Sequence, residues 1–153
     1  MVALRDMTDD EFKSYRLIFI DEYATDLTAS RNYLIEEAKK RASEAIDVVF
    51  SQGINQPQSK LFSIISSNEE NTALGYLWVE ISKKSAWISD FWVKPEWRER
   101  GIGRAALAEM EVVLARLGVN EIGLRVAPNN PSARSLYEKC GFQLTGFNMH
   151  RAL

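Results

Sequence analysis

Across 153 residues this chain holds a single cysteine, Cys140, and a single histidine, His150. One thiol cannot close a disulfide within the chain, and the two residues together cannot furnish a cysteine- or histidine-based metal centre. The expectation is a metal-free protein. Surplus positive charge is missing as well. Nineteen basic and 21 acidic residues give a net charge of −2 and a pI of about 5.5, so there is no general electrostatic reason to bind nucleic acid. No apolar run approaches the ~18 residues that cross a bilayer. The opening MVALRDMTDDEF is too acidic and too poor in apolar length for a secretory signal. These absences imply a cytoplasmic protein without a membrane partner. Repeats and low-complexity tracts are also lacking. With 46% hydrophobic and 26% charged residues, the chain has the makings of one globular domain over residues 1–153.

What is present falls into helix- and strand-like segments. Val2–Arg5 reads as a short strand. Thr8, with Glu11 three residues on, forms a capping box for a helix that carries Phe12, Tyr15, Phe19 and Tyr23 at helical spacing. A second helix is expected from about Ser30 to Val49, with Leu34, Ala38, Ala45 and Val48 on one face and Glu36–Lys40 and Glu37–Arg41 as exposed pairs. Leu61–Ser66, Ala73–Ile81 and Trp87–Val93 are rich in β-branched and aromatic residues and separated by short polar turns, which predicts an antiparallel meander. Ile102–Leu117 is a helix stopped by Gly118, and Glu121–Val126 is a compact strand. Pro131 opens a short helix ended by Gly141, and Phe142–Met149 supplies one or two closing strands. The fold class is α/β: a mixed sheet with helices packed on it.

One segment departs from the even charge pattern. Between the end of the third meander strand at Val93 and the long helix lie Lys94-Pro-Glu-Trp-Arg98-Glu-Arg100-Gly101-Ile102-Gly103-Arg104. Glycines allow backbone amides to approach an anion, a helix N-terminus adds a positive dipole end, and arginines add charge-assisted hydrogen bonds. This is the composition of a phosphate cradle. Gly101-x-Gly103-x-x-Ala106 also satisfies a dinucleotide fingerprint, but that motif needs its glycines directly after a strand and an acid at the end of the next one. Here seven residues, Pro95 among them, separate Val93 from Gly101, and the next strand ends in Arg125-Val126-Ala127. No Gly-Lys-Ser/Thr occurs, which excludes a Walker A loop.

Arg98-x-x-Gly101-x-Gly103 at a strand-to-helix junction resembles the acetyl-CoA loop of the GCN5-related N-acetyltransferases, the GNAT superfamily. Further on, Asn130-Pro-Ser-Ala133-Arg-Ser-Leu136-Tyr137 followed by Gly141-Phe142 is similar to the family's second signature. The element order agrees over the whole chain, though the likeness thins before about Leu61. The resemblance implies a GNAT fold, with a central antiparallel meander splayed against a parallel strand. It implies transfer of an acetyl group from acetyl-CoA, the co-substrate, to a primary amine of a small molecule, protein or peptide by direct attack in a ternary complex. In that reading Arg98, Arg100, Gly101, Ile102, Gly103, Arg104 and Asn130 bind the cofactor, with the pyrophosphate on the amides of Arg100 to Arg104. The pantetheine arm lies along Phe91, Trp92 and Val93. Tyr137 protonates the departing thiolate. A homodimer is open. The alternative is a non-catalytic CoA-binding sensor or interaction module of the same fold, which loss of Tyr137 or Asn130 would have favoured.

The base is less directly marked. Asp90 lies among Trp87, Ile88, Phe91 and Trp92, where an acid must be paired, hydrogen-bonded or open to a cleft. Many family members carry a glutamate on this strand as general base; here Asp90 is the acid available, with Glu80 on the neighbouring strand as its substitute. Cys140 reads as a small apolar residue. Asp21, Glu22, Asp26, Glu36 and Glu37 read first as a solvated helix face and second as a setting for a cationic acceptor.

Overall fold

The computed structural model describes residues 1–153, except for the side chain of Glu70. The elements in chain order are β1 (Val2–Asp6), α1 (Asp9–Arg31), α2 (Ile35–Phe50), β2 (Ser59–Ser66), β3 (Glu69–Ser82), β4 (Ser85–Val93), a 3₁₀ turn (Pro95–Trp97), α3 (Ile102–Arg116), β5 (Glu121–Leu124) and α4 (Pro131–Lys139). The five strands form one sheet in the order β1-β2-β3-β4-β5. The first four are antiparallel, and β5 joins β4 in parallel through the α3 crossover.

Helices cover both faces, so the central strands carry apolar residues without alternation. Residues 73–79 of β3 are buried throughout. On one face α1 and α2 pack Tyr15, Phe19, Ile46 and Phe50 against Tyr76 and Trp78. The Trp78 ring lies 5.2 Å from those of both Phe19 and Phe50. On the other face Leu107, Met110 and Leu114 of α3 meet Leu77, Val79 and Ile88.

The capping box forms as the sequence predicts. Glu11 N–H donates to Thr8 Oγ1 at 3.1 Å and Thr8 N–H donates to Glu11 Oε1 at 3.0 Å. Arg5 adds two hydrogen bonds to the same carboxylate, at 2.9 and 3.0 Å, tying β1 to α1. Two expectations need correction. Helix α2 starts at Ile35, because Asn32 (φ 57°) ends α1 in the left-handed region. Its buried face is Ala38, Ala42, Ile46 and Phe50, a strict i, i+4 row, while Leu34 and Val48 are 81% and 78% exposed. The closing strands expected over Phe142–Met149 do not form. Phe142 packs on Tyr137, but Phe147 and Met149 are 81% and 95% exposed. β-Propensity needs a pairing partner to act on, and the adjacent β5 is only four residues long.

Candidate active site

The Arg/Gly segment builds a concave backbone at the start of α3. Glu99 (φ 59°) and Gly101 (φ 80°) both take left-handed conformations, and a non-glycine residue there is a strained position of the kind that clusters at ligand clamps. Alternation of hand turns successive N–H groups toward a common centre. Gly101 caps α3, and the first helical hydrogen bond is Ala105 N–H to Gly101 C=O at 3.0 Å. The amides of Ile102, Gly103 and Arg104 precede it and have no acceptor within the helix. The first turn carries no acidic side chain to compete for them. A Cβ placed on Gly101 would meet nothing within 4 Å, so the space before the helix is open. The site therefore fits a diphosphate.

The arginines divide their work. Arg98 Nε donates to the Val93 carbonyl at 2.8 Å, and its guanidinium stands 5.9 Å from the Trp92 ring. Arg100 lies over Trp97 at 5.1 Å. Arg104 is exposed on the first turn of α3. Gly103 has a packing role: a Cβ there would come within 3.1 Å of Leu136 and 3.6 Å of Phe91, so glycine lets α4 and β4 close on the helix start.

A splay opens beside this cradle. The parallel ladder pairs Ser85–Ile88 with Glu121–Leu124 and ends there. Past Ile88, β4 continues to Val93 on β3 alone, so its other edge is unpaired over the last residues. Phe91 and Val93 pack beneath Ile102 and Ala106, while Trp92 stacks on Tyr76 across the sheet at 6.1 Å and 8°.

Asp90 sits in this splay, aimed by a β-bulge. Val79 pairs with Ile88 but Trp78 pairs with Asp90, leaving Ser89 as the extra residue. Strict alternation would put Asp90 on the Ile88 side, under α3. One inserted residue reverses the parity, and Asp90 joins the α1 face opposite Trp78. There Tyr15 Oη donates to Asp90 Oδ2 at 2.7 Å. Burial pushes the Asp90 carboxyl up to about 6. The Tyr15 hydrogen bond opposes this, the Glu22 charge adds to it, and the Phe91 amide opposes it. Glu80, the substitute, is held in place by two hydrogen bonds: Trp78 Nε1 and Ser59 Oγ each donate to one of its oxygens at 2.6 Å.

Helix α4 approaches the splay from the other side. Asn130 caps it, accepting the Ala133 N–H at 3.2 Å. Tyr137 lies two turns on, half-buried, its ring edge-to-face with Phe142 at 5.7 Å. Burial, and then the Asp90 charge, push its phenol up to about 12. Cys140 is half-buried at the end of α4. A cavity of about 960 Å³ lies along β5 and the chain beyond α4. It includes Asn130 and Tyr137 but neither Asp90 nor the cradle.

Two features escaped the sequence reading. Tyr15 was legible only as part of a core stripe, although a tyrosine between Phe12 and Phe19 signals a buried hydroxyl in need of an acceptor. The Asp26–Arg125 ion pair (3.1 Å) joins α1 to the residue after β5, a contact across the fold that no local pattern announces. It gives Asp26 a partner from across the fold, whereas Glu37 pairs with Arg41 on the exposed side of α2 as expected.

Residues 21–142 match the profile of the Acetyltransferase (GNAT) family. The uncharacterized N-acetyltransferase YycN of Bacillus subtilis (strain 168) is 28% identical over 156 residues, 99% of each chain. The crystal structure of YycN superposes with a TM-score of 0.90, covering 100% of this chain and 99% of that one at 27% identity. The spermidine N(1)-acetyltransferase of Thermoplasma acidophilum is 29% identical over 75 residues, 49% of this chain and 47% of that protein. The fold also matches the PaiA N-acetyltransferase of T. acidophilum, solved in complex with coenzyme A, at a TM-score of 0.70 and 20% identity over 97% and 93% of the two chains. With its splayed sheet, its glycine-bearing helix start and a family match spanning most of its length, the chain belongs to the acetyltransferase (GNAT) family of N-acetyltransferases.

Proposed function

We propose that residues 1–153 form one N-acetyltransferase domain, acting in the cytoplasm, that moves an acetyl group from acetyl-CoA to a primary amine of a small molecule. The observation that carries this reading is the backbone cradle at the start of α3 beside the unpaired edge of β4, with Asp90 held by Tyr15 where β4 parts from β5. The amides from Gly101 to Arg104 take the pyrophosphate, with Arg98, Arg100 and Arg104 around it. The unpaired edge of Phe91–Val93 pairs with the pantetheine amides as a strand edge pairs with a peptide. Asn130 acts through α4, whose start it caps. The likeness to a spermidine N(1)-acetyltransferase supports a small amine as the acceptor.

An aliphatic amine has a pKa of ~10.4 and must lose a proton to attack a thioester. Asp90, raised to about 6, is ionised at neutral pH and yet more basic than an ordinary carboxylate, which suits a general base. It accepts the amine proton directly or through one water as the C–N bond forms. Tyr137, raised to about 12, is fully protonated at neutral pH. It hands its proton to the sulfur as the C–S bond breaks, so that CoA leaves as the thiol. Amides of the splayed β4 edge polarise the carbonyl oxygen.

The test is CoA release from acetyl-CoA in the presence of a panel of diamines, polyamines, amino sugars and lysine peptides. Turnover with a small amine is the expected outcome. CoA binding without turnover on any amine would overturn the catalytic reading and leave a non-catalytic CoA-binding module.

A further inference from the structure

We infer that Tyr15 is a positioning residue for Asp90: its buried hydroxyl, donating to Oδ2 at 2.7 Å, holds the carboxylate in the direction from which it meets the acceptor amine. The inference rests on the reading of Asp90 as the base. Tyr15 has no other visible use for its hydroxyl. It is 0% exposed, its ring lies 5.3 Å from Tyr76 and 6.3 Å from Phe19, and a phenylalanine would fill the same space. A buried phenol without an acceptor is costly, so hydroxyl and carboxylate depend on each other across 75 residues of sequence.

The bulge at Ser89 is the device that brings them together, because without it Asp90 points to the opposite face. A carboxylate has about four lone-pair positions. Tyr15 occupies one, which leaves lone pairs for an incoming proton while the carboxylate is held toward α1. The charged and titratable groups around Asp90 are Tyr15 and Glu22 of α1 and Tyr137 of α4. Trp78, opposite on β3, has its indole N–H turned to Glu80. Of these groups, Tyr15 is the hydrogen-bond donor to the carboxylate, so its removal acts in one known direction. The ionised form loses a stabilising bond, and the carboxylate becomes harder to deprotonate.

The experiment compares pH–rate profiles of acetyl transfer for the parent, Tyr15→Phe and Asp90→Asn on the same amine. Tyr15→Phe is expected to move the acidic limb upward by about one pH unit. It should also leave kcat roughly tenfold low on the plateau, where Asp90 is ionised but no longer aimed, with KM for acetyl-CoA unchanged. A second protein with 3-fluorotyrosine at position 15, a stronger donor of the same shape, is expected to fold as the parent does and move the limb downward. If Asp90→Asn abolishes the limb while neither Tyr15 variant moves it, Tyr15 is packing only and the inference fails with the base reading intact. If Asp90→Asn keeps the parent profile, the base reading itself falls. A limb that moves the same way in both Tyr15 variants would also overturn the inference, since donation strength would then not be its cause.

Discussion

The Asn130 side-chain oxygen accepts the Ala133 amide at 3.2 Å, so the residue that opens the second family signature also starts the helix that carries Tyr137. The cap directly precedes, and the phenol belongs to, a single helix of nine residues. Asn130→Ala is expected to cost about 1 kcal/mol of stability, the ordinary worth of an N-cap. It should lower kcat more than it raises KM for acetyl-CoA, because α4 loses its starting geometry. Asn130→Asp, which keeps the acceptor, should recover most of the loss. Chemical denaturation beside steady-state kinetics checks both, and an Asn130→Ala protein with lowered CoA affinity alone would assign the side chain to the cofactor instead.

Tyr137→Phe removes only the hydroxyl, and the edge-to-face contact with Phe142 should survive. The expected result is a fall in kcat of about 10²-fold or more with little change in acetyl-CoA affinity, since the lost proton transfer belongs to the transition state. With the phenol raised to about 12, the parent should show no basic limb from Tyr137 up to pH 10. Full turnover at saturating substrate in the variant would make Tyr137 a core residue.

Asp90 yields a pH prediction with a definite sign. The base works when ionised and its carboxyl is raised to about 6, so kcat/KM should fall as pH drops through about 6, well above the range of an ordinary carboxylate. Asp90→Asn should remove that limb along with most of the rate. A parent profile flat down to pH 5 would exclude Asp90 as the base.

At the cradle, Gly101 and Gly103 should respond differently. Gly101→Ala imposes a side chain on φ 80° with open space beyond it, so the cost is backbone strain of roughly 1–2 kcal/mol together with a distorted set of amides. CoA affinity should drop at least tenfold, read by calorimetry. Gly103→Val should lower CoA affinity as well. Its Cβ meets Leu136 at 3.1 Å, so melting temperature should fall with it. Unchanged CoA affinity in a folded Gly101→Ala protein would count against the cradle.

Acid sensitivity should centre on Glu11. Burial tends to raise this carboxyl, but the Arg5 and Thr8 hydrogen bonds outweigh it and hold it at about 2, below the ordinary 4.5. A depressed carboxyl stabilises the fold above its unfolded-state value and loses that contribution as pH falls from about 4.5 toward 2. Arg5→Met should flatten this part of the stability profile, measured as urea midpoint against pH. An unchanged slope would mean that other carboxylates dominate.

Much of this protein is legible in one dimension. The meander, α3 and its glycine stop, the Thr8–Glu11 box and the cradle before Ile102 follow from periodicity, capping chemistry and turn residues. All of these act between residues a few positions apart, and the two family signatures lie on such local elements. What only the tertiary structure decided concerns pairs that are distant in sequence. Alternation along β4 alone would aim Asp90 toward α3. The mismatch between Trp78–Asp90 and Val79–Ile88 turns it toward Tyr15, and that mismatch is a property of two strands together. Glu80 is tied to Trp78 on its own strand and to Ser59 on β2, the second a partner that only strand pairing brings near. The segment after Phe142 has strand-like residues but pairs with no strand, although β5 is an edge strand of the sheet. Local propensity sets which segments are helix or strand, whereas register and pairing set which side chains meet, and the chemistry of this site depends on the second.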